Sequence, residues 1–322
     1  MNPKHYDLIV VGGGMTGAAA AVSATRRGLH TLLVEQSGAL GGAACTCLVN
    51  PFMKYWTGIP GTDERLMLSR GFFQEMLDRL SAYGTAARDG SCFSEEYVKR
   101  VLDDLTAEAG AEVLFHATLC GADKDGDAIQ SIRVATKAGV LPLTADLYID
   151  CTGDGDLAYM AGARYMSGQD GTGIMQPCTL MFTVTNYNLE KFLDFAEQSP
   201  ENFGIKEDYA KGYDPTFFRA SRGHCFIGMD ELIKKAKAKG DFHVPRNQFI
   251  HITTPVDGML AINTSRIIEI DASDPYQLSK GLEEGYLQVR ELMAFMNKYL
   301  PGFERARLAG ISPTLGVRET RH

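Results

Sequence analysis

Zinc-ligand spacing, a disulfide framework and a membrane-length apolar run are all missing from this chain of 322 residues. Its seven cysteines are an odd number and include no C-x-x-C pair. Neither stapling disulfides nor a zinc site is expected, and reduced thiols in a cytoplasmic protein are. The first apolar run begins at residue 7, so no secretory leader is expected. No apolar run approaches the ~20 residues of a membrane span. Positive charge is scarce as well: 32 Lys and Arg face 40 Asp and Glu, a formal net charge of −8. That sign is wrong for a nucleic-acid ligand. The densest basic run, residues 234–239, reads as the solvated face of a helix. There is no G-x-S-x-G nucleophile elbow, no His and acid grouping at metal spacing, no internal repeat and no low-complexity segment. A hydrophobic content of 45% allows one large or two ordinary domains with sizeable cores.

Residues 7–35 carry the strongest signal. The apolar run Asp7-Leu8-Ile9-Val10-Val11 is followed at once by Gly12-Gly13-Gly14-Met15-Thr16-Gly17, a G-x-G-x-x-G turn. An Ala-rich helical pattern follows, then Leu32-Leu33-Val34 ending in Glu35. Gly12 allows the tight turn, Gly14 lets a pyrophosphate approach the backbone, and Gly17 lets the helix pack close to the strand. The helix start, with Met15 and Thr16, offers unpaired N–H groups and the positive end of a dipole to phosphates. Glu35, 23 residues after Gly12, is placed to accept from a ribose hydroxyl. The pattern predicts parallel strands at 7–11 and 31–35 around a helix from about Thr16 to Arg27.

Further along, residues 36–63 read as a long loop, a type that is usually functional in compact domains. Helices are expected at 65–83, at 94–109, from Leu157 to Ala161, at 189–197 and 230–239, and at 275–299. The last would turn Leu278, Leu282, Tyr286, Val289, Leu292 and Phe295 inward. A short strand at 112–116 precedes a β-meander at 128–136 and 140–149, which ends in Asp150-Cys151-Thr152-Gly153-Asp154-Gly155-Asp156. Strands are expected at 178–185, 248–253, 259–263 and 306–313.

The first motif, the Gly41-Gly42 loop and residues 149–156 together resemble the FAD-dependent oxidoreductases of the two-dinucleotide-binding flavoprotein superfamily, which includes the fumarate reductase and aspartate oxidase flavoproteins. More narrowly, residues 150–156 and Leu315-Gly316-Val317-Arg318-Glu319-Thr320-Arg321 resemble a broad bacterial family of FAD-dependent oxidoreductases. The resemblance implies FAD as cofactor and a hydride moved between flavin and a small organic substrate. It implies that Gly41 and Gly42 run close to the FAD diphosphate and ring, and that Thr152, Gly153 and Asp154 meet the dinucleotide half. It implies an α/β fold: a Rossmann-like FAD-binding domain with a β-meander over 1–163, an inserted mixed α+β substrate domain over 164–305, and a return to the FAD domain from 306. In such proteins a further strand and helix follow the Arg-Glu-Thr-Arg segment. The sequence stops at His322, so a chain truncated at its C-terminus is expected.

Arg318 and Arg321 are the expected carboxylate or reduced-flavin partners, because arginine offers a charged bidentate fork; Glu319 could instead neutralise them. His224, within Arg222-Gly223-His224-Cys225, is the best single acid–base candidate. His251 alternates with Ile250 and Ile252 and so faces the other side of its strand. Cys45 and Cys47 follow Gly42, either as a reactive thiol beside the flavin or as small buried residues. Arg246, Asn247 and Asn263-Thr264-Ser265-Arg266 are further polar candidates, and Gly171-Thr172-Gly173 reads as a plain loop. Two readings compete with an FAD oxidoreductase: an FAD-binding chain that is redox-incompetent by truncation or is one part of a larger assembly, and an NAD-dependent dehydrogenase. The tandem of Gly41-Gly42 and Thr152-Gly153 disfavours the dehydrogenase. Substrate, electron acceptor and partner protein are left open.

Overall fold

The computed structural model describes residues 4–52, 55–62, 64–84, 92–202, 215–220 and 225–322. Its N-terminal part follows the β-α-β reading. The strand β1 (His5–Val11) leads through Gly12–Gly14 into the helix α1 (Met15–Thr25) and on to β2 (Thr31–Val34). The helix ends two residues earlier than expected, and Gly28, at φ 89°, closes the turn. The region 36–63 is less of a loop than its composition suggests. It holds the one-turn helix α2 (Ala43–Thr46) and β3 (Trp56–Gly58), which pairs with β4 (Arg65–Met67). The helix expected at 65–83 therefore starts only at α3 (Phe72–Ala82). Antiparallel pairing claims residues 65–67, although Leu66 and Leu68 fit a helical spacing. Next come α4 (Glu95–Ala109), stopped by Gly110, then β5 (Glu112–Leu114), β6 (Thr118–Asp125), β7 (Ala128–Thr136), β8 (Gly139–Asp150) and α5 (Asp156–Met160).

These strands form a six-stranded sheet in the order β5-β2-β1-β8-β7-β6. The pairs β5–β2, β2–β1 and β1–β8 are parallel, and β8–β7–β6 is an antiparallel meander. β1 is hydrophobic on both faces, as a central parallel strand must be. Leu8 and Val10 pack under α1 and α4, while Ile9 and Val11 face the meander's core with Ile132 and Val134. β6 has no counterpart among the strands expected from sequence; its run of Gly, Ala, Asp and Lys hides the alternation.

The remaining elements are β9 (Phe182–Thr185), α6 (Leu189–Gln198), α7 (Pro215–Ala220), β10 (Cys225–Gly228), α8 (Asp230–Ala238), β11 (Phe249–Thr253), β12 (Leu260–Ile262), α9 (Pro275–Tyr299) and β13 (Arg307–Ile311). They build a five-stranded antiparallel sheet in the order β10-β11-β12-β9-β13. Asn188 caps α6, accepting from the Lys191 N–H at 2.9 Å. Asp274 caps α9, accepting from Tyr276 and Gln277, with Pro275 at the first helical position. Tyr286 of α9 is exposed rather than inward, because Gly281 and Gly285 make the close contact. A Cβ on Gly285 would lie 2.9 Å from Leu180.

The strand expected at 306–313 forms, but it pairs with β9 in this second sheet. The chain comes back to the first sheet without a strand, through residues 312–322. Thr314 Oγ1 donates to the Thr46 carbonyl at 3.0 Å, and Thr320 Oγ1 donates to Asp154 at 2.6 Å.

Candidate functional site

The carboxyl ends of β1, β2 and β8 converge where the sheet order reverses, the usual crevice for a dinucleotide in an open α/β sheet. Gly12 makes the turn there with φ 99°, close against the Cys151 carbonyl, where any side chain would collide. A Cβ on Gly17 would run into the Gly12 carbonyl oxygen, so this residue holds α1 against the turn. Gly14 is different. A Cβ on it would meet nothing nearer than the Gly42 Cα at 3.9 Å, so the protein's own packing does not demand glycine. The open space beside it is what a close-lying pyrophosphate requires. Gly14 is also the N-cap of α1 and has no capping side chain, and no acidic residue occupies the first turn. The N–H groups at Met15, Thr16 and Gly17 begin the helix with its dipole unopposed.

The Gly41-Gly42 loop folds directly over this turn. Gly41 donates to the Gly13 carbonyl at 2.9 Å and forms a parallel bridge with Gly14. Glu35 is buried at the end of β2. Its Oε2 accepts from the Gly13 N–H at 2.6 Å and its Oε1 from the Ser37 N–H at 2.7 Å. Each oxygen keeps a second lone-pair site for a ribose hydroxyl.

The turn after β8 is organised by Asp150, a residue within the motif that the sequence reading left without a role. Its Oδ1 accepts from the Thr152 N–H and hydroxyl at 3.0 and 2.7 Å, and its Oδ2 from the Ala158 N–H at 2.9 Å. Thr152 Oγ1 in turn accepts from the Asp156 N–H at 2.9 Å. Asp150 thereby fixes Thr152–Asp154 beside β1. Its only sequence signal was an acid one residue before the small Cys-Thr-Gly turn. These features fit an FAD: an uncapped helix start, a glycine with space above it, and a buried carboxylate at the second strand's end.

The other expected residues fall as follows. The Arg321 side chain is engaged within the protein. Its Nη1 lies 2.7 Å from Asp156 Oδ1 and 3.2 Å from the Asp154 carbonyl, and its guanidinium stacks 4.1 Å over Tyr159. It ties the returning chain to the β8 turn. Glu319 neutralises neither arginine; its carboxylate accepts from the Gln176 N–H at 3.3 Å and lies 3.2 Å from His322. Arg318 is exposed and, among the described residues, has no side-chain hydrogen bond or ion pair. His224, with Arg222 and Gly223, lies outside the described residues. His251 is 1% exposed inside a ring of phenylalanines, and burial pushes its pKa down to about 3. Cys45 sits under Gly41 and donates to the Glu95 carbonyl at 3.6 Å; burial pushes its thiol up to about 12, which makes it a poor nucleophile. Cys47 lies 3.2 Å from Thr314 Oγ1, between α2 and the returning chain.

Among the described residues no three His, Cys, Asp or Glu side chains converge to hold a metal, and no helix is long and apolar enough to cross a membrane.

A model of the FAD dependent oxidoreductase family matches residues 7–322. The thioredoxin reductase of Ureaplasma parvum is 32% identical over 99 residues, a stretch that spans 31% of this chain and only 30% of that relative. A geranylgeranyl bacteriochlorophyll reductase-like protein from Thermoplasma acidophilum superposes with a TM-score of 0.52 at 15% identity, over 98% of this chain and 66% of that one. The p-nitrophenol 4-monooxygenase of Pseudomonas putida DLL-E4 does so with a TM-score of 0.50 at 14% identity, over 99% of this chain and 68% of that one. At such identities the two structures share the fold.

Proposed function

Since the chain belongs to the FAD dependent oxidoreductase family and FAD is its cofactor, we propose that it moves a hydride between a small organic substrate and flavin. The observation that carries this reading is the open, uncapped start of α1 at Gly14, with Glu35 buried beside it. Met15, Thr16 and Gly17 take the diphosphate through their N–H groups, Glu35 takes the adenosine ribose, and Gly41-Gly42 lets the cofactor lie flat on the backbone. Thr152, Gly153 and Asp154, held by Asp150, close the other side. Bound FAD supplies a two-electron acceptor and donor; the protein's part is position and electrostatics. Residues 1–163 form the cofactor unit and residues 164–305 the substrate unit. Among the described residues a single G-x-G-x-x-G follows a strand and opens a helix, which supports electrons passing to or from the flavin by a substrate, a quinone, oxygen or a partner protein rather than by a second bound nucleotide.

The test is anaerobic titration of the purified yellow protein with small acids, alcohols and amines. Stoichiometric bleaching by at least one of them is expected. Fast stoichiometric bleaching by NADH or NADPH, with none by such compounds, would overturn the reading.

One observation favours a second reading, in which the chain holds FAD but works only as part of a larger assembly. Leu147 and Ile149 of β8 pair with Leu8 and Val10 of β1, on the face that α1 covers. Yet they are 61% and 39% exposed, against 3% and 0% for Leu8 and Val10. Such a face invites more polypeptide. This reading predicts flavin that stays bound and bleaches with no compound in the panel.

A further inference from the structure

We infer that Arg246, Arg266 and Arg318 form the anchor of the substrate site and that the substrate is a small carboxylate, an inference that rests on the hydride-transfer reading above. Arg246 and Arg266 line one cleft of about 510 Å³ together with Asp230, Asn247 and Gln248, a volume in the range of small-molecule sites. Both arginines are half-buried. Arg246 Nη1 donates to the Asn263 and Ser265 carbonyls at 2.9 and 3.4 Å. That bond fixes the guanidinium and leaves its other edge free. The Arg266 backbone is clasped by buried Gln288, which accepts from its N–H at 2.7 Å and donates to its carbonyl at 2.9 Å. Among the described residues neither guanidinium meets a carboxylate.

Cross-bridges bring the backbone next to Arg318 close to that next to Arg266. Cys178 exchanges two backbone hydrogen bonds with Ile267, and its neighbour Thr179 exchanges two with Gly316. Arg266 and Arg318 therefore flank Cys178 on strips laid side by side. Burial, and then the like charges of Arg266 and Arg318, hold the Arg246 pKa below its usual value. Among the described residues none of these three cations is paired with a carboxylate, although Asp230 lines the same cleft; in a chain of net charge −8 that is an arrangement which a bound anion completes. The strip also leads to the cofactor. Thr314, bonded to Thr46 at the end of α2, is four residues from Arg318, at most ~14 Å of extended chain.

A carboxylate suits the cleft better than a phosphate. Asp230 lines the same cleft with its Oδ2 buried and unbonded, so a second negative charge on the ligand meets repulsion, while a single planar carboxylate fits an arginine fork. The larger cleft beside α3, about 800 Å³, is lined by two acids, Glu75 and Asp78, beside Arg70 and Arg79, and Arg79 there is bound to Glu75 and Glu108.

Calorimetric titration of the full chain, with FAD bound and without it, tests the anchor independently of turnover. The probes are propionate, butyrate, their neutral amides and inorganic phosphate. Saturable binding of a carboxylate and none of its amide is expected. Arg266→Gln and the exposed Arg318→Gln should each weaken carboxylate binding at least about ten-fold, with flavin content and melting temperature unchanged. Arg246→Lys, which keeps the charge and loses the fork, should weaken it too. Equal binding of amide and carboxylate, tighter binding of phosphate, or unchanged affinity in both glutamine variants would overturn the inference. A chain that binds carboxylates through these arginines but is bleached by none would overturn the hydride-transfer reading and leave the anion site standing.

Discussion

Acid should destabilise this protein through His251, and the size of the effect follows from its surroundings. The ring centroid lies 5.2 Å from Phe192, 4.9 Å from Phe226 and 5.8 Å from Phe249; Nδ1 has no hydrogen-bond partner, and the residue is 1% exposed. Burial alone lowers its pKa to about 3, against about 6.5 in an unfolded chain. Above pH 6.5 the ring is neutral in both states and its titration costs nothing. As pH falls below 6.5 the unfolded chain takes up a proton that the native state refuses, so stability drops. The drop is about 1.4 kcal/mol per pH unit until the native ring titrates near pH 3, or about 3 kcal/mol at pH 4.5. That is a sizeable share of the 5–15 kcal/mol that holds a typical domain. Urea melts of the wild type and His251→Leu at pH 7 and pH 4.5 isolate it, because the remaining titrating groups are common to both proteins. The wild type should lose about 3 kcal/mol more than the variant between the two pH values. At pH 7 the variant should be at least as stable, since it no longer buries an unbonded nitrogen. Equal losses in the two proteins would refute the reasoning.

Three further outcomes are expected. Glu35→Ala leaves the Gly13 and Ser37 N–H groups without their acceptor and should weaken FAD binding by about 1.5–3 kcal/mol, read by flavin release on dilution; unchanged affinity would remove Glu35 from the site. Gly17→Ala drives a methyl into the Gly12 carbonyl and should cost about 1–3 kcal/mol, seen as lower flavin content and a lower melting temperature, whereas Gly14→Ala, with free space around it in the protein, should lose flavin with little change in the melting temperature of the apoprotein. Arg321→Ala cuts the tie to Asp156 and should cost about 1–2 kcal/mol, because Asp156 is 40% exposed; protection of the 312–322 amides from hydrogen exchange should fall, while bleaching of the flavin that stays bound proceeds at the wild-type rate.

What the sequence determined by itself was local. The turn at Gly12–Gly17, the strands on either side of α1, the carboxylate at Glu35 and the limits of α9 each depend on residues within a few positions of one another. Glycine geometry, capping and apolar period act at that range. Asn188 and Asp274 cap the helices that follow them for the same reason. Long-range pairing was out of reach. Residues 65–67 have helical spacing, yet they form a strand because residues 56–58 lie alongside. Residues 307–311 look like a strand returning to the first sheet, yet β9 takes them into the second. Side-chain roles were decided at the same level. Arg318 and Arg321 are equal in sequence, and only the folded chain commits Arg321 to Asp156 and Tyr159 while leaving Arg318 free. Arg246 and Arg266, 20 residues apart and unremarkable as a pair, share a cleft because antiparallel pairing of β11 and β12 lays their flanking turns side by side. A local pattern fixes which backbone can bend or bond. Which charges remain unpaired depends on every other segment of the fold.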